Sequence, residues 1–133
     1  IFCKTAGYIT APSTEENTKY GFVFLNCNIS GDAPENSFYL GRPWRPYGKS
    51  VFIDCKLGKQ IKPEGWHNWR DPEKEKTAYF AEYKNTGEGA GTGNRVAWSH
   101  QLSDVEAQEY AVEKIFGDWT EELFSNLEEI KKR

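Results

Sequence analysis

The chain is expected to fold as an all-β protein, a parallel β-helix closed by C-terminal α-helices, and three features carry that expectation. The first is a repeat. Val23-Phe24-Leu25-Asn26-Cys27-Asn28-Ile29 overlays Val51-Phe52-Ile53-Asp54-Cys55-Lys56-Leu57, 28 positions further on. Self-similarity at a fixed period of this size marks stacked-repeat architectures. The second is alternation inside each copy, where every other residue shares a character, as on the two faces of a strand. The third is a change of pattern at Ser103, after which apolar residues follow helical rather than strand spacing.

Taken in order, Ile1-Phe2-Cys3-Lys4 matches the repeat 24 residues before its first full copy, and Tyr79-Phe80-Ala81-Glu82-Tyr83-Lys84 is a weaker copy 28 residues after the second. Four turns of one coil follow, with parallel strands stacked about 4.8 Å apart. The alternation assigns Ile1, Leu25, Ile53 and Ala81 to one inward column and Cys3, Cys27, Cys55 and Tyr83 to the next. The thiols then read as small buried hydrophobes. An antiparallel sandwich also uses short alternating strands, but it does not require like residues at a constant offset. Loops are marked by Gly31-Asp32-Ala33-Pro34, Pro43, Pro46, Lys62-Pro63-Glu64-Gly65 and the glycine-rich run Gly87 to Gly93. That run has neither the Lys-Ser/Thr of a phosphate loop nor a following helix, so it reads as a tight turn.

Ser103-Asp104-Val105-Glu106 has the form of a capping box, and Val105, Tyr110, Val112 and Phe116 continue an apolar side to a stop at Gly117. Asp118 or Thr120 is placed to cap a second helix carrying Leu123, Leu127 and Ile130. The 133 residues are expected to form part of one domain, with strands and loops over 1–99 and a helical tail over 100–133.

Composition narrows the function classes. Hydrophobic residues at 38% and charged residues at 28% describe a globular chain rather than a disordered one. A net charge of -3 without a basic block excludes a nucleic-acid backbone as partner. No apolar run approaches the roughly 20 residues of a membrane span. Ile1 to Thr5 do not form the start of a signal peptide, and the chain reads as beginning within a domain. Three cysteines leave at least one free thiol and have no zinc or redox spacing.

Among side chains that carry chemistry, His67 and His100 have no companion at metal-ligand spacing, and neither metal nor cofactor is expected. No Ser or Cys has the context of a nucleophile. Aromatics at 15% are the outlier, and they gather in two clusters: Tyr39-Leu40-Gly41-Arg42-Pro43-Trp44-Arg45-Pro46-Tyr47 and Trp66-His67-Asn68-Trp69-Arg70. A guanidinium among rings suits an acidic sugar, gripping a carboxylate while an indole covers a pyranose face. The competing reading has the Trp residues closing loops and Arg42 paired to a buried carboxylate.

Leu40-Gly41-Arg42-Pro43-Trp44, followed by Pro63-Glu64-Gly65-Trp66, Glu82-Tyr83-Lys84-Asn85-Thr86-Gly87, Gly89-Ala90-Gly91 and Arg95-Val96-Ala97-Trp98, resembles the pectin methylesterases in order and spacing. Gly7-Tyr8-Ile9-Thr10-Ala11 resembles them too, so the likeness runs from Gly7 to Trp119. It implies a right-handed parallel β-helix that hydrolyses pectin methyl esters to pectate and methanol without metal or cofactor. An Asp nucleophile attacks, a second Asp serves as acid then base, and Gln side chains stabilise the oxyanion. The resemblance makes Arg42 the residue that orients the nucleophile, and Trp44 and Trp66 substrate-binding aromatics. It also implies a secreted or periplasmic enzyme.

The family's two Asp motifs are not matched anywhere in the chain, and Asp32, Asp54, Asp71, Asp104 and Asp118 stand in other contexts. The 133 residues alone are therefore expected to lack esterase activity. The expected partner is pectin or oligogalacturonate, and self-association is expected through an open turn at the Ile1 end. Two alternatives remain at this stage: a non-catalytic carbohydrate-binding β-helix, and a structural solenoid with Trp44 and Trp66 buried.

Overall fold

The computed structural model describes residues 1–117. Its strands are β1 (Phe2–Cys3), β2 (Gly7–Thr10), β3 (Phe22–Leu25), β4 (Asn28–Gly31), β5 (Phe38–Gly41), β6 (Lys49–Ile53), β7 (Lys56–Leu57), β8 (Tyr79–Tyr83) and β9 (His100–Gln101). The chain visits three sheets in rotation, ordered β1-β4-β7, β2-β5 and β3-β6-β8-β9. Every pairing is parallel. Parallel bridges Phe38↔Ile61 and Gly41↔Trp66 carry the β2-β5 sheet into the third circuit, and Lys56↔Thr86 does the same for β1-β4-β7.

The repeat sets the register where its residues are conserved between copies. Val23 pairs with Val51, Phe24 with Phe52 and Leu25 with Ile53, a spacing of 28. The third copy departs from the expected offset, because Val51 pairs with Ala81 and Ile53 with Tyr83, a spacing of 30. The longer circuit contains a 3₁₀ turn at Pro72–Lys76, capped by the Asp71 side chain, which accepts the Glu73 N–H. A slip of two residues leaves the faces of a strand unchanged.

The first copy is also corrected. Phe2 pairs with Ser30 and Cys3 with Gly31, so β1 lies in a different sheet from Leu25 of β3. The decisive residue is Gly31, whose φ is +150°, and a Cβ there would strike the carbonyl oxygen of Cys3. Cys27 and Cys55 do share a column, and its third place is held by Asn85, not Tyr83. Asn85 Oδ1 accepts the Cys55 N–H at 2.9 Å, and its Nδ2 donates to the Phe52 carbonyl at 3.2 Å. Burial pushes the Cys55 thiol up to about 11. Asn26, Asp54 and Lys84 turn the three equivalent corners with φ of +55°, +52° and +48°.

Cys3, Cys55, Ile29 and Leu57 sit in the core as expected, with Cys27 packed against it, but on β3, β6 and β8 the expected inward face is reversed. Phe24 stacks on Phe52 at 4.4 Å, and Phe52 meets the Trp66 ring at 5.8 Å. Phe52, Phe80 and Trp66 belong to the central cluster with Leu40, Cys55 and Leu57, and Phe24 packs against it. Val51, Ile53 and Ala81 are buried too, but outside that cluster. On strands buried on both faces, hydrophobicity does not tell inside from outside. Ile1, placed in the inward column by the repeat, is exposed.

Residues 1–102 form one compact unit, and the described residues from Ser103 onward belong to a second. β9 carries strand through Gln101, two residues past the expected end of the strand region, and Leu102 closes that unit with its N–H on the Glu82 carbonyl. In the second unit, Ser103 and Glu106 form the expected capping box at α1 (Asp104–Gln108). The single helix expected from Ser103 to Phe116 is instead two, because Ala111 takes an extended conformation before α2 (Val112–Phe116), which ends at Gly117. Val105, assigned to the apolar side, is exposed. The helix expected from Asp118 or Thr120 lies outside the described residues.

Candidate functional site

The site is built on β2 and β5. Parallel pairing sets Tyr8 opposite Tyr39, and their rings stack at 5.3 Å with 12° between planes. The intervening Leu40 is fully buried in the core and Ile9 packs against it, so the two tyrosines occupy the other face. Thr10 anchors the strands from inside: its Oγ1 donates to the Leu40 carbonyl at 3.0 Å and accepts from Ser50 at 2.9 Å. Past β5, Arg42 N–H donates to the Thr10 carbonyl and Trp44 N–H to that of Pro12, both at 3.1 Å. Those bonds and the buried Pro43 between them fix where both side chains start.

The Arg42 guanidinium lies 3.5 Å from the Trp69 ring centroid, 4.7 Å from Tyr8 and 5.5 Å from Trp44. Its Nε is buried and has no hydrogen-bond partner among the described residues. Three ring faces hold the cation in place without neutralising it. Buried donors without a partner are uncommon in folded proteins.

Trp69 is positioned by the loop after Trp66. His67 N–H donates to the Gly41 carbonyl, Trp69 N–H donates to His67 Nδ1 at 3.1 Å, and Arg70 N–H donates to Asn68 Oδ1 at 2.9 Å. Trp69 and Arg70 have φ of +56° and +59°. Two successive non-glycine residues in the left-handed region cost about 1–3 kcal/mol each, and such strain collects at functional sites. Burial, with the nearby charges of Arg70, Lys62 and Arg42, lowers the His67 pKa, keeping the imidazole neutral at pH 7. Since Nδ1 accepts the Trp69 N–H, the ring proton is assigned to Nε2.

Tyr8, Tyr39, Lys62, His67, Trp69 and Arg70 line a pocket of about 590 Å³. Lys62 Nζ sits 4.6 Å from the Tyr39 centroid. The walls are therefore rings and cations, with no carboxylate. Asp71 caps the 3₁₀ turn and Asp54 turns a corner; neither lines the pocket. Among the described residues no cluster of His, Cys, Asp or Glu could hold a metal, and no helix is long and apolar enough to cross a membrane.

Of the residues expected in the site, Arg42 lies against the Tyr8 and Trp69 rings that line the pocket without lining it itself, and Trp44, the third ring beside it, is 52% exposed. Trp66 is not in the cleft as expected. At 1% exposure it packs face to face on Phe80 at 4.5 Å, because its bridge to Gly41 turns the side chain into the core. Trp69, two-fifths exposed, lines the pocket instead. The signal was present in the Trp66-His67-Asn68-Trp69-Arg70 cluster, but which indole faces out depends on the left-handed residues. A structural solenoid required both Trp44 and Trp66 buried, and the exposed Trp44 removes that reading.

The residues around Tyr8 and Tyr39 thus make an aromatic, cationic groove on stacked parallel strands. The pectinesterase family model matches residues 3–118. Pectinesterase 31 of Arabidopsis thaliana is 44% identical over 110 residues, covering 80% of this chain and 34% of that protein. Putative pectinesterase 11 of the same plant is 39% identical over 130 residues, covering 96% and 36%. Among solved structures, a pectin methylesterase in complex with a hexasaccharide superposes with TM-score 0.72 at 33% identity, covering 87% of this chain and 40% of that one. The pectin methylesterase from carrot gives TM-score 0.73 at 31% identity, covering 84% and 38%. The chain belongs to the pectinesterase family. It spans about a third of the length of these two plant relatives.

Proposed function

We propose that the chain forms one wall of the ester-hydrolysing site of a pectin methylesterase, on the later turns of a right-handed parallel β-helix. The rotation through three parallel sheets and the likeness to pectin methylesterase structures support the architecture. The observation that carries the function is Arg42, enclosed by three rings with a buried Nε that has no partner among the described residues. Its donors suit the two oxygens of a carboxylate, which holds an Asp nucleophile ionised and aimed at the ester carbon. No Asp of these residues stands in the family's catalytic motifs, so the nucleophile comes from elsewhere in the assembled site. Trp44, with Trp69, offers ring faces to the pyranoses. The substrate is a cell-wall polymer, and the reading carries an extracellular location.

The 133-residue chain is expected to bind oligogalacturonate, quenching its Trp fluorescence, and to release no methanol from pectin. Trp44→Ala is expected to weaken binding about tenfold, the size of one lost stacking contact. Absence of quenching would sink the substrate assignment, and methanol release would sink the placement of the nucleophile.

Self-association through the Ile1 end belongs to the same proposal. Ile1, Phe2 and Phe22 expose apolar surface there. Light scattering is expected to show a mass above the monomer, and a monomer at all concentrations would remove it.

A further inference from the structure

Cys27 and Cys55 face one another on successive turns of the coil. The offset of 28 holds on both sides of them, where Leu25 pairs with Ile53 and Asn28 with Lys56. It holds at the corner as well: Asn26 N–H donates to the Ile53 carbonyl at 3.0 Å, and Lys56 N–H to that of Cys27 at 2.9 Å. Facing Cα atoms on strands in this register stand about 4.8 Å apart, inside the roughly 4.4–6.8 Å that a disulfide spans. Both side chains point at the core, Cys55 within the central cluster and Cys27 packed against it. The Cys55 Sγ lies between the turns, 3.4 Å from the Ile53 carbonyl of its own and 3.5 Å from the Phe24 carbonyl of the other. There the Cys27 thiol is its hydrogen-bond partner. We propose that Cys27 and Cys55 form a latent cross-link, a pair that takes up one disulfide from an oxidising thiol pool and staples the β3–β4 corner to the β6–β7 corner.

Exposure sets the order of events. Cys27 is partly buried and Cys55 fully so, which leaves Cys27 as the entry point. Its thiolate attacks a small-molecule disulfide such as glutathione disulfide; a mixed disulfide forms at Cys27 and one glutathione thiolate leaves. The Cys55 thiolate then attacks the Cys27 sulfur, the mixed bond breaks and the second glutathione leaves. Two protein thiols have given up two electrons and two protons, and one glutathione disulfide has become two thiols. Burial raises the Cys55 pKa to about 11, so the closing step draws on a small thiolate fraction and speeds up about tenfold per pH unit below that value. Cys3 is buried too, but it sits on β1, where its thiol bonds to Gln60. The new bond encloses β4, β5 and the Arg42–Trp44 segment in a covalent loop, which removes chain freedom from the unfolded state. The extracellular location proposed above supplies an oxidising setting, so occupancy in the native protein rests on that reading, while the pairing rests on the register.

The test is incubation of the 133-residue chain at mildly alkaline pH in a glutathione buffer poised oxidising, followed by acid quench, alkylation and peptide mapping. Thiols titratable in denaturant are expected to fall from three to one, with Cys27 joined to Cys55 and Cys3 alkylated. The cross-linked chain is expected to unfold at a higher urea concentration, and added reductant to return it to the original midpoint. Cys55→Ser is expected to stop at the glutathione adduct on Cys27, and Cys27→Ser to resist glutathione while folded. In urea, where the register is gone, the three cysteines are expected to pair without preference. A glutathione adduct that persists on Cys27 of the parent chain, a bond to Cys3, three free thiols after oxidation, or a disulfide-linked dimer would each overturn the inference. None of these outcomes touches the pectin reading, which stands on oligogalacturonate binding.

Discussion

Glu82→Ala is expected to destabilise the protein by about 3–5 kcal/mol, because it strands a buried guanidinium. Arg95 Nε meets Glu82 Oε2 at 2.8 Å and Nη2 meets Oε1 at 3.1 Å, with both side chains at most 3% exposed. The rest of the guanidinium is also spent on backbone: Nη1 donates to the carbonyls of Lys62 and Pro63, and Nη2 to that of Gly89. One side chain thus ties β8 to the turn before Trp66 and to the 3₁₀ turn at Glu88–Ala90. Gly65, at φ +75°, leaves room for it, since a Cβ there would lie 2.5 Å from Arg95 Cδ.

Removing both partners tests whether the pair acts as a unit. Glu82→Ala with Arg95→Ala is expected to cost less than the sum of the single changes by about 2 kcal/mol, the coupling typical of neighbours in one network. The double variant still loses stability relative to the parent, because three carbonyls lose their donor. Urea unfolding followed by Trp fluorescence measures all four proteins. A cost below about 1 kcal/mol for Glu82→Ala would show that water reaches the guanidinium and that the pair is not structural. Since the Lys62 carbonyl is one of the anchors, oligogalacturonate binding is expected to weaken along with the fold.

Which parts of this were legible in the sequence follows from where the information sits. The β3–β6 register was readable because two copies keep the same residue types in the same order. The β6–β8 register was not, because a strand matched only by period two looks the same after a slip of two residues. β1 resembles the repeat in composition, yet its place is decided by the missing Cβ of Gly31, a residue of its partner strand. The inner face could not be chosen from hydrophobicity when Val51 and Phe52 are both buried. Arg42 and Trp44 stood out because a guanidinium and rings gather in one proline-braced segment, and the roles proposed for them came from the family resemblance. The Glu82–Arg95 pair joins residues 13 apart in separate elements, and nothing local in either segment announces it.

The two indoles that the sequence treats alike should separate most clearly on substitution. Trp66→Ala is expected to cost about 3–5 kcal/mol, the range for emptying a large aromatic from a packed core. Its ring lies 12° from parallel to Phe80 and meets Phe52 edge-on, so removal leaves a cavity bordered by two rings that cannot readily collapse. Trp66→Phe should recover more than half of that loss, since it refills most of the volume and breaks no hydrogen bond: the indole Nε1 has none among the described residues. Trp44→Ala, by contrast, removes a half-exposed ring and is expected to change stability by no more than about 0.5 kcal/mol while weakening sugar binding. Denaturation midpoints and titrations on the same three variants give opposite orders for the two properties. If Trp44→Ala proves as destabilising as Trp66→Ala, then Trp44 is a packing residue, and the substrate surface must be rebuilt around Trp69 and Tyr8 alone.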